Sequence, residues 1–326
     1  MRPSNSKATA AGTSHPMDMQ EGSPLRSLSE DRAHVSLRLG NMPALPTPES
    51  PLPALSKAAG KQKMTRATPK GGSQKPAGMG AIAGVRSHNG PYRGVEAWFD
   101  VLQQDIAKDQ ASYSSIYIGS GSNNEINFIS AGWMVNPSLF GDGRTWTYGF
   151  WKGKDGKGCY NTACSGFVHV SKTIPIVQPI DFPAGKTVWL HYSIHQDKNT
   201  GNWWLTELGS GDIGYWPKKL FNLLNNGANM VGAGGTVQAS PSGSSPPMGK
   251  GQFPNVNSPE KSAGFTNIEV LDSNYKQHKM NYVPTEVVLD SPKCYGLTIG
   301  KKFFLQPNRL GFYFNYGGPG GNSCGV

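Results

Sequence analysis

The sequence predicts an all-β fold: an antiparallel β-sandwich of two stacked sheets with one short helix, preceded by a disordered tail. Three observations carry this reading. From Tyr92 onward, short runs of alternating or β-branched residues recur, Gly, Asn, Asp and Pro separate them at the spacing of a sandwich, and helical periodicity surfaces only once.

The tail comes first in the chain. No aromatic residue precedes Tyr92, and the sequence before it is rich in Pro, Ser, Ala, Gly and Lys. Such a composition lacks the large apolar groups whose burial offsets the loss of chain entropy. Residues 1–90 therefore read as disordered and residues 91–326 as one domain, although 326 residues would suffice for two of average size. The tail holds 12 Lys and Arg against 5 Asp and Glu, which is +7 of the formal net charge of +10, so the domain itself is close to neutral. Counterion release can hold a basic tail on nucleic acid or an anionic membrane. This one lacks the interleaved aromatics on which a single-strand binder stacks bases, so no specific nucleic-acid partner is expected. Within it, PALPTPESPLP at residues 43–53 favours extended polyproline II and reads as a tether or a recognition segment.

The strand candidates, in chain order, are Ser115–Gly119, Trp146–Trp151, Gly166–Val170, Thr187–Ile194, Trp203–Leu208, Ala263–Val270, Glu286–Leu289 and Leu310–Tyr316. In TVWLHYSIH, residues 187–195, alternation puts Val188, Leu190, Tyr192 and Ile194 on a core face and Trp189, His191, Ser193 and His195 on the other. The one helix is expected after GYWP, with Pro217 at its first position, Leu220, Phe221, Leu223 and Leu224 as its apolar face and Asn225-Asn226-Gly227 as its stop.

The densest stretch of motifs runs from Asn127 to Val170, where a close cysteine pair sits among aromatics and glycines. AGWMVNPSLFGD, GCYNTACSGFVHV, GNWW, GYWP, MGKGQFP and a terminal YGGPGGNSC follow one another in an order that resembles the neprosin domain of plants, over roughly Tyr92 to the C-terminus. The resemblance implies the same β-sandwich and membership in a family of glutamic endopeptidases that cut after proline in acid with two glutamates. In that pattern one glutamate directly precedes AGW and the other directly follows a Gly-Gly pair. Here those places hold Ser130 and Thr236.

Two neighbouring carboxyl groups shift each other's pKa apart, which lets one act as base and the other as acid at the same pH. Hydroxyls titrate far too high for either role, and each lost proton-transfer role is worth about 10²–10⁴ in rate. The sequence therefore predicts an impaired peptidase. Glu125 offers no rescue on a continuous strand, because its odd separation from Ser130 points it to the opposite face. Gln238 shares a face with Thr236, and a distant fungal group of glutamic peptidases pairs Gln with Glu, but no partner Glu is evident. A serine mechanism would pair Ser130 with His169, His191 or His195, without any GxSxG elbow. His191 and His195 share a strand face but lack a third metal ligand, so neither metal nor cofactor is expected.

The other reading is a binding module that keeps the groove for proline-containing polypeptides or glycans. Trp133, Gln238, Trp189, Trp203 and Trp204 are its candidate groove residues, and adjacent Trp203 and Trp204 must face opposite ways on a strand. Cys159, Cys164, Cys294 and Cys324 lack zinc-site spacing and favour disulfides. Four cysteines allow three connectivities, and the resemblance implies Cys159 with Cys164 and Cys294 with Cys324. Disulfides persist in oxidising compartments, which points to a secreted or vacuolar protein. The first twenty residues lack the apolar core of a secretory signal, and no transmembrane segment is evident.

Overall fold

A computed structural model describes residues 80–122, 125–300 and 311–324 of the chain. The strands are β1 Gly80–Ser87, β2 Gly94–Val101, β3 Ala111–Ser122, β4 Glu125–Val135, β5 Thr145–Lys152, β6 Gly158–Tyr160, β7 Val168–His169 and β8 Val188–Gln196. They continue with β9 Trp203–Glu207, β10 Gly211–Trp216, β11 Met230–Gln238, β12 Ala263–Leu271, β13 Gln277–Lys279, β14 Glu286–Leu289, β15 Gly296–Ile299 and β16 Phe314–Gly317. One sheet has seven strands in the order β14-β1-β11-β3-β4-β5-β6, and the other has nine, β15-β16-β12-β2-β8-β9-β10-β7 with β13 beside β12. Every ladder is antiparallel.

Alternation on each strand builds the core between the sheets. Ile116 and Ile118 of β3 and Ile129, Ala131, Trp133 and Val135 of β4 meet Val95, Ala97 and Phe99 of β2, Leu190, Tyr192 and Ile194 of β8, and Phe265 and Phe314 across the way. The expected core face of the β8 run is the observed one. Inside this layer Trp133 Nε1 donates to the carbonyl of Asp100 at 2.8 Å, and Tyr316 Oη donates to Ser114 Oγ at 2.8 Å, so polar groups stitch one sheet to the other.

Two sequence expectations need correction. Residues 80–87, counted with the tail, form β1, which pairs with β11 on one side and β14 on the other. Its residues GAIAGVRS are small, so burial comes from neighbours rather than from large side chains of its own. The remaining tail, residues 1–79, lies outside the described residues, as does Leu310. After Pro217 there is no α-helix but a three-residue 3₁₀ turn, Lys218–Leu220. The reason is competition for backbone donors: Asn127 Oδ1 accepts from the N–H groups of both Asn222 and Leu223 at 2.8 Å, and Phe221 and Leu224 are buried by the segment lying flat. Among the described residues no helix is long and apolar enough to cross a membrane.

Candidate functional site

Ser130 lies on β4 opposite Tyr117 of β3 and Phe150 of β5, and Thr236 lies on β11 opposite Ile82 of β1 and Tyr113 of β3. Their strand neighbours Ile129, Ala131, Val237 and their kin enter the core, so alternation turns Ser130, Thr236 and Gln238 to the outer face of the seven-stranded sheet. One strand, β3, separates them. On a flat ladder the two positions stand roughly 16 Å apart between Cα atoms, two strand spacings across and four residues along.

Six aromatic residues tile that face: Tyr113, Tyr117, Phe128, Tyr148, Phe150 and Tyr160, all buried. Glycines on adjacent strands make room for them. A Cβ on Gly232 would collide with the Tyr117 hydroxyl, which lies over β11, while Tyr117 stacks on Phe128 with centroids 5.6 Å apart. Tyr148, opposite Gly132, carries its hydroxyl to within 2.9 Å of Ser130 Oγ, with Ser115 on its other side. Tyr113 Oη accepts from Asn136 Nδ2 at 3.3 Å. Burial pushes the Tyr113, Tyr117, Tyr148 and Tyr160 phenols up from their ordinary value, so all four stay neutral and protonated at any physiological pH.

Two acids stand at the β14 end of the sheet, and Asp109 accepts from Ser240 Oγ just beyond Gln238. Arg86 Nε meets Glu286 Oε1 at 2.5 Å, and Ile82 N–H donates to Asp290 Oδ2 at 3.2 Å. Burial raises the Asp290 pKa, against the Ile82 hydrogen bond and the Arg86 charge. Ser130 itself therefore has a tyrosine for a partner.

Residues 108–319, well over half of the chain, match the sequence profile of the Neprosin family. The chain belongs to the neprosin family. Among solved structures, the neprosin domain is similar to scytalido-glutamic peptidase with a transition-state analogue inhibitor, at 12% identity and a TM-score of 0.39. It is likewise similar to the same peptidase with a peptide-based transition-state analogue, at 10% identity and a TM-score of 0.38. SCP-B, a member of the Eqolisin family in a complex with the tripeptide Ala-Ile-His, matches at 10% identity and a TM-score of 0.36. Each match covers 74% of this chain and 98% of the other.

The remaining candidates fall elsewhere in the neprosin domain. Trp133 and Trp203 are core residues with no exposed surface, and Trp203 Nε1 donates to the carbonyl of Leu224 at 3.2 Å. Trp189 and Trp204 lie on the outer face of the nine-stranded sheet, away from Ser130, and Trp204 packs on Tyr215 at 4.9 Å. None of the four tryptophans proposed for a groove joins Ser130 and Thr236, whereas Gln238 does share their face, half-buried at the end of β11. His169, His191 and His195 all belong to the nine-stranded sheet, so the serine constellation is not assembled around Ser130. His191 stacks on Trp98 at 4.2 Å instead, and Glu125 accepts from Asn222 Nδ2 at 2.9 Å on the side away from Ser130, as its parity requires. Among the described residues no three His, Cys, Asp or Glu side chains converge. The disulfides are Cys159–Cys164 and Cys294–Cys324.

Sequence reasoning missed the tyrosine face. The signal was present in Tyr113, Ser115 and Tyr117, which alternate on β3 with buried Ser114 and Ile116, and in Phe128, two residues before Ser130 on the same face.

Proposed function

We propose that this neprosin-family protein is a disarmed glutamic peptidase that holds proline-containing polypeptide on the outer face of its seven-stranded sheet without cutting it. One observation carries the reading: the two positions where the family places its glutamates are hydroxyls on one face, and Ser130 is hydrogen-bonded to Tyr148 in a layer of neutral tyrosines. Peptide hydrolysis of this type needs a base to take a proton from water and an acid to meet the charge on the carbonyl oxygen. Serine, threonine and protonated phenols supply hydrogen bonds and no base.

Glu286 is committed to Arg86, and Asp290 to the backbone of Ile82, on strands beyond Thr236, so neither replaces the lost pair. Two disulfides suit a secreted or vacuolar setting. Calorimetry with proline-containing peptides is expected to give saturable binding, while mass spectrometry of the same mixtures after prolonged incubation finds the peptides intact. Absence of binding to any such peptide would sink the holding role.

Glycan binding is the second reading, and it attaches to a different surface. Trp98 and Trp189 expose their indoles on the outer face of the nine-stranded sheet, with Ser193, Thr206 and Glu96 between them and Trp204. Sugar rings stack on such indoles and hydrogen-bond such a strip.

A further inference from the structure

Arg86, Gly232, Tyr117, Ser130, Phe150 and Tyr160 stand side by side across six strands, β1, β11, β3, β4, β5 and β6. Two members of this row carry buried hydroxyls that find no hydrogen-bond partner among the described residues, Tyr117 Oη and Tyr160 Oη. Tyr117 is 2% exposed and Tyr160 7% exposed. Tyr160 Oη faces the Tyr113 hydroxyl without completing a bond of ordinary geometry, so Tyr117 is the cleaner case. A buried hydroxyl without a partner carries an uncompensated desolvation cost, which a ligand atom placed there recovers.

We propose that the Tyr117 and Tyr160 hydroxyls are the donors that seat backbone carbonyls of a bound proline-containing peptide. The proposal rests on the holding role argued above and names the contacts that serve it. Both groups are neutral and each has one proton to give, and the one cation in the row, Arg86, is neutralised by Glu286 at 2.5 Å. The row therefore suits a neutral acceptor oxygen better than a carboxylate or a phosphate. A proline residue keeps its carbonyl but has no N–H, so a proline run offers acceptors and leaves no donor of its own stranded when it is buried. Tyr117 and Tyr160 are three strands apart, roughly 14 Å between Cα atoms, and the Tyr117 hydroxyl leans further out over β11.

Arg86 stands across Gly232 from Tyr117, and the Tyr117 ring overlies that glycine. Replacing Tyr117 or Tyr160 by phenylalanine removes only the hydroxyl and keeps the ring that packs on Phe128 or Phe150.

The test is titration of the full chain, Tyr117→Phe and Tyr160→Phe with fluorescein-labelled hexaproline amide, alongside urea denaturation of each protein without peptide. Each replacement is expected to weaken binding roughly 5- to 10-fold, the worth of one hydrogen bond. The denaturation midpoint is expected to hold or rise, because an unpaired buried hydroxyl has been removed. Affinities within twofold of the unaltered chain for both variants overturn this inference and leave the holding role standing. So does an affinity loss matched by a fall in midpoint, since that marks a structural hydroxyl. If the unaltered chain does not bind hexaproline amide at all, both the inference and the holding role fall.

Discussion

Glu96 is a useful residue from which to see how this sandwich treats charge. It faces Glu269 directly across the β2–β12 ladder, with Lys279 beyond Glu269 on β13, His191 Nε2 3.9 Å from Glu96 and Gln277 Nε2 donating to it at 3.2 Å. Burial first, and then the Glu269 charge, push its pKa from 4.5 up to about 7. A folded-state pKa above the unfolded one means that the folded protein holds the proton more tightly. The contribution of this group to stability is therefore full below about pH 4.5 and is lost as pH rises through 7. Part of the group is in water, so screening shrinks the effect. His191 and His195 act in the opposite sense: burial lowers both, so their contribution is lost as pH falls below 6.5. Glu96→Gln separates the two. Its denaturation midpoint relative to the parent is expected to be higher at pH 7.5 and nearly unchanged at pH 4.5, and a difference that does not vary with pH would remove Glu96 from the explanation.

Among the elements, β1 and β11 decide where the candidate site sits, and they were the least legible in the sequence. GAIAGVRS and MVGAGGTVQ carry few of the large β-branched or aromatic residues that mark a strand, and glycine in a strand usually signals weakness. Here Gly232 is the space into which Tyr117 of β3 folds and Gly235 the space for Tyr316 of the opposite sheet, relations that no single stretch displays. The β8 run was legible because its two faces differ in polarity, and Trp203 and Trp204 divided between core and surface as adjacent strand residues must. The expected helix after Pro217 failed for a reason equally invisible locally, since the competing acceptor, Asn127, lies far back in the chain. Of the site, the positions Ser130 and Thr236 were legible from motif order, and their shared face emerges only from the register through β3. For β1 the consequence is testable. Deleting residues 1–79 is expected to leave a domain that unfolds cooperatively with an unchanged midpoint, whereas deleting residues 1–87 exposes β11 and β14 and abolishes the cooperative transition. A cooperative domain that survives the longer deletion would contradict the placement of β1.

At the scale of the molecule, two disulfides add to what the two sheets hold together. Cys294–Cys324 closes a loop with a sequence separation of 30, which by chain entropy stabilises the fold by about 3–4 kcal/mol, while Cys159–Cys164, with a separation of 5, stabilises it by about 2. Replacing the first pair by serine is accordingly expected to lower the urea midpoint more than replacing the second, and the reverse order would mean that the C-terminal tie is dispensable. The central proposal, that Ser130 and Thr236 stand where the family's two glutamates would act, is tested most directly by one cleavage assay. Unaltered chain, Ser130→Glu, Thr236→Glu and the double variant are incubated with a proline-containing peptide from acid to neutral pH, and products are counted by mass spectrometry. Cleavage after proline is expected from the double variant in acid and from none of the other three, because one carboxylate lacks the partner that divides the acid and base roles. Cleavage by the unaltered chain at a rate that the glutamate substitutions do not change would contradict it.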